Sequence, residues 1–298
     1  MGRVTRQDLL HRVEAAICRA ALFLLRGIGP VASSNLGGVI ARTVGPLLPV
    51  SRVAHDNLRH AFPLLDTTAR RRIVRGVWDN LGRTVAEMPH TNALRRTASG
   101  PGWCLADEGW VERLRQHGGP AIFFTGHIGN WELLPAAAAS LGVPLSIVYR
   151  AAKNPYVDAL IAELRGSDAG AHFPKGAMGA RAAFGHLSRG GMLGLLMDQK
   201  LNDGIAVPLF GRMAMTAPSA AAYALRFRCP LIPAYVRREG PARFRIVVET
   251  PLTLPDSGDR QADIAAVTLD INRALERWIT DWPEGWLWLH RRWPKEPI

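Results

Sequence analysis

Apolar residues change their spacing along this chain. From Leu10 through Val13, Ile17, Ala21, Leu24 and Ile28 they recur at three- and four-residue steps, the period of one helical face. Arg12, Arg19 and Arg26 lie seven apart on another face of the same helix, so the pattern predicts a basic amphipathic helix. Residues 1 to about 95 read as mainly helical, with breaks at Gly27-Ile28-Gly29-Pro30 and Gly45-Pro46 and a boundary at Ser99-Gly100-Pro101-Gly102. Beyond it the period shortens. Strands are expected at 121–125, 144–149, 192–197, 231–236 and 244–249, and helices around 133–141, 155–165, 177–188 and 217–227. That alternation argues an α/β fold: a mixed, mostly parallel central sheet flanked by helices. A helical, membrane-associated extension over residues 1–50 would precede a main domain over 51–298.

Composition narrows the class. With 298 residues, 48% hydrophobic and 21% charged, the chain can bury a sizeable core and is not a disordered protein. Its three cysteines, Cys18, Cys104 and Cys229, are far apart and odd in number, which argues against a disulfide framework and fits a reducing compartment. A net charge of +12 implies an acidic partner: nucleic acid, an anionic membrane, a phosphorylated substrate or an acidic carrier protein. The N-terminus favours the membrane. Its longest uncharged stretch, 27–41, has 15 residues with four glycines and a proline, too short and broken to span a bilayer, so an interfacial anchor on an anionic leaflet is expected. Arg19 and Arg26 interrupt what would be the apolar region of a signal peptide.

The chemistry concentrates after the first expected strand. Phe123-Phe124-Thr125-Gly126-His127-Ile128-Gly129-Asn130-Trp131-Glu132 places a histidine in a strand-to-helix turn and a carboxylate five residues on. Asn130 would cap the following helix, and Glu132 in its first turn would be held ionised by the helix dipole, orienting His127 as a general base. The position strengthens a spacing that is weak alone, because ligand sites in open α/β sheets lie at the carboxyl ends of strands. Two further strands deliver polar residues the same way, Tyr149-Arg150 and Asp198-Gln199-Lys200. If the strands are parallel, these converge on His127. Arg150 could then clamp a phosphate or carboxylate, and Asp198 could accept a bond from substrate or pair with Arg150.

No second histidine or cysteine stands near His127 at ligand spacing, and Gly-x-Ser-x-Gly, the Walker loop and Gly-x-Gly-x-x-Gly are absent, so neither metal nor cofactor is expected. The carboxyl end is unusual, with Trp278, Trp282, Trp286, Trp288 and Trp293 interleaved with His290, Arg291, Arg292 and Lys295. Such a tail suits a membrane or nucleic-acid interface, or else an aromatic lid on the core with a solvated basic end.

Together His127-Ile-Gly-Asn-Trp-Glu132, Tyr149-Arg150 with Asn154-Pro155, Asp198-Gln199, Phe210-Gly211 with Thr216, and the closing Pro283-Glu-Gly-Trp286-Leu-Trp288-Leu-His290-Arg-Arg292-Trp293 resemble the lipid A biosynthesis acyltransferases of the late lauroyl and myristoyl type. Arg52, Asn57-Leu58 and Ala61-Phe62-Pro63 look like the same family's upstream signature. The resemblance implies a transferase of lipopolysaccharide biosynthesis. It would move a fatty acyl chain from acyl carrier protein, or another acyl-thioester donor, to a hydroxyl of a phosphorylated glycolipid acceptor at the cytoplasmic face of the inner membrane. It implies His127 and Glu132 as the catalytic pair and Arg150, Asn154, Asp198, Gln199 and Gly211 as substrate-binding residues. No nucleic-acid partner is implied. Two alternatives remain open: an acyltransferase acting on another glycolipid or a glycerophospholipid, and a basic membrane- or nucleic-acid-binding protein without catalysis.

Overall fold

The structure is a computed structural model that describes residues 6–166 and 170–294. Two helices open the chain, α1 (Arg6–Ile28) and α2 (Pro30–Val44). They are divided where expected, by Gly29 at φ +80° with Pro30 starting the second helix. Next come α3 (Ser51–Ala61) and α4 (Thr67–Glu87), the latter capped by Asp66, whose carboxylate accepts from the N–H of Ala69.

The α/β part follows as β1 (Gly102–Leu105), α5 (Gly109–His117), β2 (Ala121–Thr125), α6 (Leu133–Ser140), β3 (Leu145–Tyr149), α7 (Pro155–Arg165), β4 (His172–Pro174), α8 (Ala177–Ser188) and β5 (Met192–Leu196). A hairpin, β6 (Ile205–Leu209) and β7 (Arg212–Thr216), precedes α9 (Ser219–Phe227), β8 (Leu231–Gly240), β9 (Arg243–Val248) and α10 (Arg260–Asp281). Seven strands form one sheet in the order β1-β9-β8-β2-β5-β3-β4, and β8–β9 is its one antiparallel pairing. The hairpin is a separate two-stranded sheet.

The expected mixed, mostly parallel sheet is present. All five expected strands form, and α7 and α8 run over the expected residues. One side of the sheet packs Phe124, Leu193, Leu195 and Leu231 against α8, α9 and α10, and Leu133 and Ala137 of α6 join Val236, Phe244 and Ile246 in a second cluster. The strands β2, β5 and β3 are parallel neighbours, so their carboxyl ends meet at one edge.

One expectation about local structure needs correction. Asn130 does not cap α6; its amide donates to Glu87 Oε2 at 2.9 Å, and the helix begins at Leu133 with Glu132 at the cap position. Buried at 0% exposure, the Asn130 amide nitrogen finds its acceptor on the Glu87 carboxylate and leaves the helix end to the turn before it.

The tryptophan tail is not an exposed interface. Trp278, Trp286, Trp288 and Trp293 are buried, and so is Arg292, which donates to the Met215 carbonyl and Thr216 Oγ1. The aromatic-lid alternative therefore describes the rings, whose large apolar area outweighs any affinity for an outside surface. Lys295 lies outside the described residues.

Helix α1 runs as expected, and its named stripe faces outward: Leu10, Ile17 and Leu24 are 60%, 64% and 68% exposed. The half-buried positions are Asp8, His11, Ala15, Cys18, Leu22 and Leu25, which also recur at three- and four-residue steps and so form a neighbouring face of the same helix. Arg12 is exposed but not unpartnered. It pairs with Asp8 at 2.8 Å and lies over the ring of Tyr156 on α7. Among the described residues no helix is long and apolar enough to cross a membrane.

Candidate active site

The turn between β2 and α6 is held from two sides. From the C-terminal tail, Leu287 donates its N–H to the His127 carbonyl at 2.9 Å, and Gly129 donates to the Gly285 carbonyl at 3.0 Å. From α4, Asn80 and Thr84 donate to the Gly129 carbonyl at 3.1 and 3.0 Å. Gly129 has φ +62°, and a Cβ there would stand 1.9 Å from the Val236 carbonyl oxygen, so only glycine fits. Below the turn, the fully buried Glu87 receives Asn130, the Arg238 guanidinium and the N–H of Ala242. The turn is thus tied to several distant parts of the chain, which removes the freedom a positioned base must not have.

Within that frame His127 meets Asp198. The imidazole Nδ1 lies 2.8 Å from Asp198 Oδ1, and the His127 backbone N–H donates to Oδ2 at 2.8 Å. Trp286 Nε1 donates to the same Oδ2 at 2.7 Å. Asp198 is wholly buried. Burial would raise its pKa, but the His127 charge and hydrogen bonds outweigh that and hold it below the ordinary carboxylate range. An ionised carboxylate can only accept, so Nδ1 carries a proton and the neutral ring presents the lone pair of Nε2 outward. Burial pulls the His127 pKa down, the Asp198 charge and hydrogen bond push it up, Glu132 adds a smaller push, and the net direction is upward.

The orienting carboxylate is therefore Asp198, not Glu132. Glu132 instead accepts both arms of the Arg165 guanidinium, Nε and Nη2, at 2.9 Å each. The physical reason is reach and competition: a bidentate guanidinium satisfies the Glu132 carboxylate, while Asp198 follows the adjacent strand directly behind the imidazole. An Arg150–Asp198 pair, one of the two roles left open for Asp198, is absent for the same reason. Asp198 is used up by His127 and Trp286, and Arg150 is exposed.

A cavity of about 650 Å³ opens beside His127. Its walls are mostly apolar, with Phe123, Leu134, Ala138, Ile147, Gly194 and Val248 among them, and Glu132 and Arg165 line it as well. Arg150, Lys175 and Lys200 also line it, and none of the three forms an ion pair with a described residue. Gln199 lines it too, with its Nε2 3.4 Å from His127 Nε2.

The remaining expected site residues lie elsewhere. Asn154 caps α7 through Tyr156 and Val157, and its amide donates to the His11 carbonyl and Glu14 Oε2 of α1. Gly211, φ +69°, turns the β6–β7 hairpin and does not line the cavity. Both residues are spent on backbone geometry, which removes them from direct contact with a ligand in the cavity.

Three participants escaped the reading of the sequence. Arg165 ends a helix and Glu87 ends another, and neither position carries a local signal. Trp286 stood out as one ring of an aromatic tail and as part of the closing motif, but with no role at the site. His290 lies close by, its ring centroid 6.4 Å from that of His127, with both ring nitrogens buried and without a hydrogen-bond partner. Burial lowers its pKa, which keeps it neutral beside the raised His127. The upstream Asn57 donates to the carbonyls of Trp288 and His290 at 2.9 and 2.7 Å, so the early signature braces the late one. Among the described residues, no group of three or more His, Cys, Asp or Glu side chains could hold a metal.

The arrangement can take a proton from a hydroxyl at Nε2 and hold an alkyl chain nearby. A comparison with curated proteins gave no match. A family model described as bacterial lipid A biosynthesis acyltransferase matches residues 3–295, essentially the whole chain, and the protein belongs to that family of acyltransferases.

Proposed function

We propose that this acyltransferase moves a fatty acyl chain from acyl carrier protein to a hydroxyl of a phosphorylated lipid A precursor, at the cytoplasmic face of the inner membrane. The observation that carries the reading is His127, backed on Nδ1 by buried Asp198, with an apolar cavity at its side. His127 Nε2 removes the acceptor hydroxyl proton as the oxygen attacks the thioester carbonyl. The C–O bond forms, the C–S bond breaks, and the imidazolium returns its proton to the departing thiolate. Asp198 stabilises the imidazolium and remains ionised.

Glu132 adds negative charge near that imidazolium without touching it, and its pairing with Arg165 keeps the charge in place. Arg150, Lys175 and Lys200 suit the phosphates of an acceptor or of a carrier's prosthetic arm. The exposed apolar residues of α1, together with Val39, Ile40 and Leu47 from the next segment, support an interfacial seat on the membrane.

The test is transfer from labelled acyl carrier protein by the purified protein, with a lipid A precursor, another glycolipid and a glycerophospholipid offered in parallel. Preference for the lipid A precursor, lost in His127→Ala, is expected. Preference for either other acceptor overturns the acceptor assignment, and mass spectrometry of lipid from cells lacking the chain would name the true one.

A further inference from the structure

A glycine stands in the middle of the sheet where the cavity runs along it. Gly194 is the central residue of β5, with Phe123 of β2 and Ile147 of β3 as its register partners. Its φ is not in the left-handed region, so the backbone does not demand glycine there. Glycine inside a strand weakens the sheet and commonly marks a place where a ligand comes close.

A Cβ at Gly194 would stand 3.1 Å from Leu145 Cδ2 and 3.3 Å from Ile147 Cγ2, two side chains that line the cavity. The bare position thus lets Leu145 and Ile147 lie close against the sheet, and a side chain there would push them into the cavity. Helix α6 contributes two more small residues to the lining, Ala137 and Ala138. The Gly194 row is level with Phe123, four residues before His127, which is about 13 Å down the sheet at roughly 3.3 Å per residue. Past that row, toward the amino ends of the strands, the lining continues with Leu145, Val143 and Leu141.

We infer that Gly194, with Ala138 on the α6 wall, gauges the length of the acyl chain the enzyme accepts: the bare position lets the methyl end pass toward Val143 and Leu141, and a side chain there would stop it. The inference rests on the acyl-thioester reading of the cavity.

The test is kcat/KM for octanoyl-, lauroyl- and palmitoyl-carrier protein with the wild-type chain, Gly194→Val and Ala138→Leu. Both variants should move the preference to shorter chains, lowering the ratio of the longest accepted chain to octanoyl about tenfold, since a single misfitted methylene in an apolar pocket is worth that much. Ala138→Leu guards against a folding defect in β5, because it narrows the same passage from a helix. Equal losses at every length, or an unchanged ratio in both variants, would overturn the gauge while leaving acyl transfer itself standing. A wild-type chain that transfers none of the three would instead overturn the acyl-thioester reading.

Discussion

The turn that carries His127 and the helix α1 break the ordinary division of polar outside and apolar inside in opposite directions. At the turn, Asp198, Asn130 and Glu87 are fully buried, and Arg292 is buried nearby. On α1, Leu10, Ile17, Phe23 and Leu24 all face solvent, and no residue of the helix is buried. The first inversion is resolved within the chain. Asp198 has His127 and Trp286, and Glu87 has Asn130, Arg238 and Ala242, so each charge is compensated by close partners. The second has no internal answer: apolar surface in water gains nothing until something outside covers it. A polar group buried with partners marks chemistry here, and the apolar face left bare is what the proposed interfacial seat rests on.

The sharpest way to break the first half of that comparison is to remove the base. His127→Ala should reduce acyl transfer by about 10²–10⁴-fold, the usual worth of positioned acid–base catalysis, with thermal unfolding little changed. Near-normal turnover would mean the proton goes elsewhere.

Asp198→Asn should cost up to about 10⁴-fold, because an amide can donate to Nδ1 and stabilise the wrong tautomer. Its pH signature is more telling. The pKa of His127 is raised by Asp198 against the downward pull of burial, and the base must be neutral, so wild-type kcat/KM falls as the pH drops through that raised value. Removing the Asp198 charge leaves burial opposed only by the smaller push of Glu132 and should move the acid limb to lower pH. Glu132→Gln should move it in the same direction by less, since Glu132 acts on His127 by charge alone. If Glu132→Gln gives the larger displacement, Glu132 and not Asp198 governs the imidazole.

Glu87→Gln tests the scaffold. It removes the counter-charge of the 7%-exposed Arg238 guanidinium and leaves it only the neutral acceptors Asn80 and Thr84, and breaking a buried pair on one side typically costs about 3–5 kcal/mol. Chemical denaturation should show the lower midpoint, and transfer at low temperature should fall less than in Asp198→Asn. Stability within experimental error of the wild type would show that water replaces the lost partner.

The smallest effect is expected on α1. Arg19→Glu and Arg26→Glu should each weaken sedimentation with anionic vesicles by about 1 kcal/mol, while binding to neutral vesicles changes little. Arg12→Glu should disturb the contact with Asp8 and Tyr156 instead. Equal losses on neutral and anionic vesicles would remove electrostatics from the attachment.

Much of the architecture was legible. Ala121 to Thr125 and Met192 to Leu196 are short apolar runs bounded by turn residues, and such runs have few ways to fold other than as buried parallel strands. Other elements were hidden for local reasons. The strands β1 and β4 have four and three residues, too few to show a period, and β6 contains Pro208, which argues against a strand. Helix α10 is different, since Ile264, Val267, Ile271, Leu275 and Trp278 carry a helical period that the strand–helix alternation alone does not reveal.

The sequence by itself determined the α/β class, the helical N-terminus and the turn with its histidine, and it made the convergence of β2, β3 and β5 on one edge conditional on their being parallel neighbours, which the structure supplied. These follow from periodicity and from the rule that parallel strands deliver their carboxyl ends together, both local or topological properties. Only the tertiary structure decided that Asp198 rather than Glu132 meets the imidazole and that Arg165 claims Glu132. It also decided that α1 turns Ala15, Cys18, Leu22 and Leu25 inward while Leu10, Ile17, Phe23 and Leu24 face out. Partner choice among buried charges depends on distances of a few ångströms between residues far apart in sequence. Which face of an amphipathic helix is covered depends on what lies beside it, and neither quantity is written in the spacing of residues along the chain.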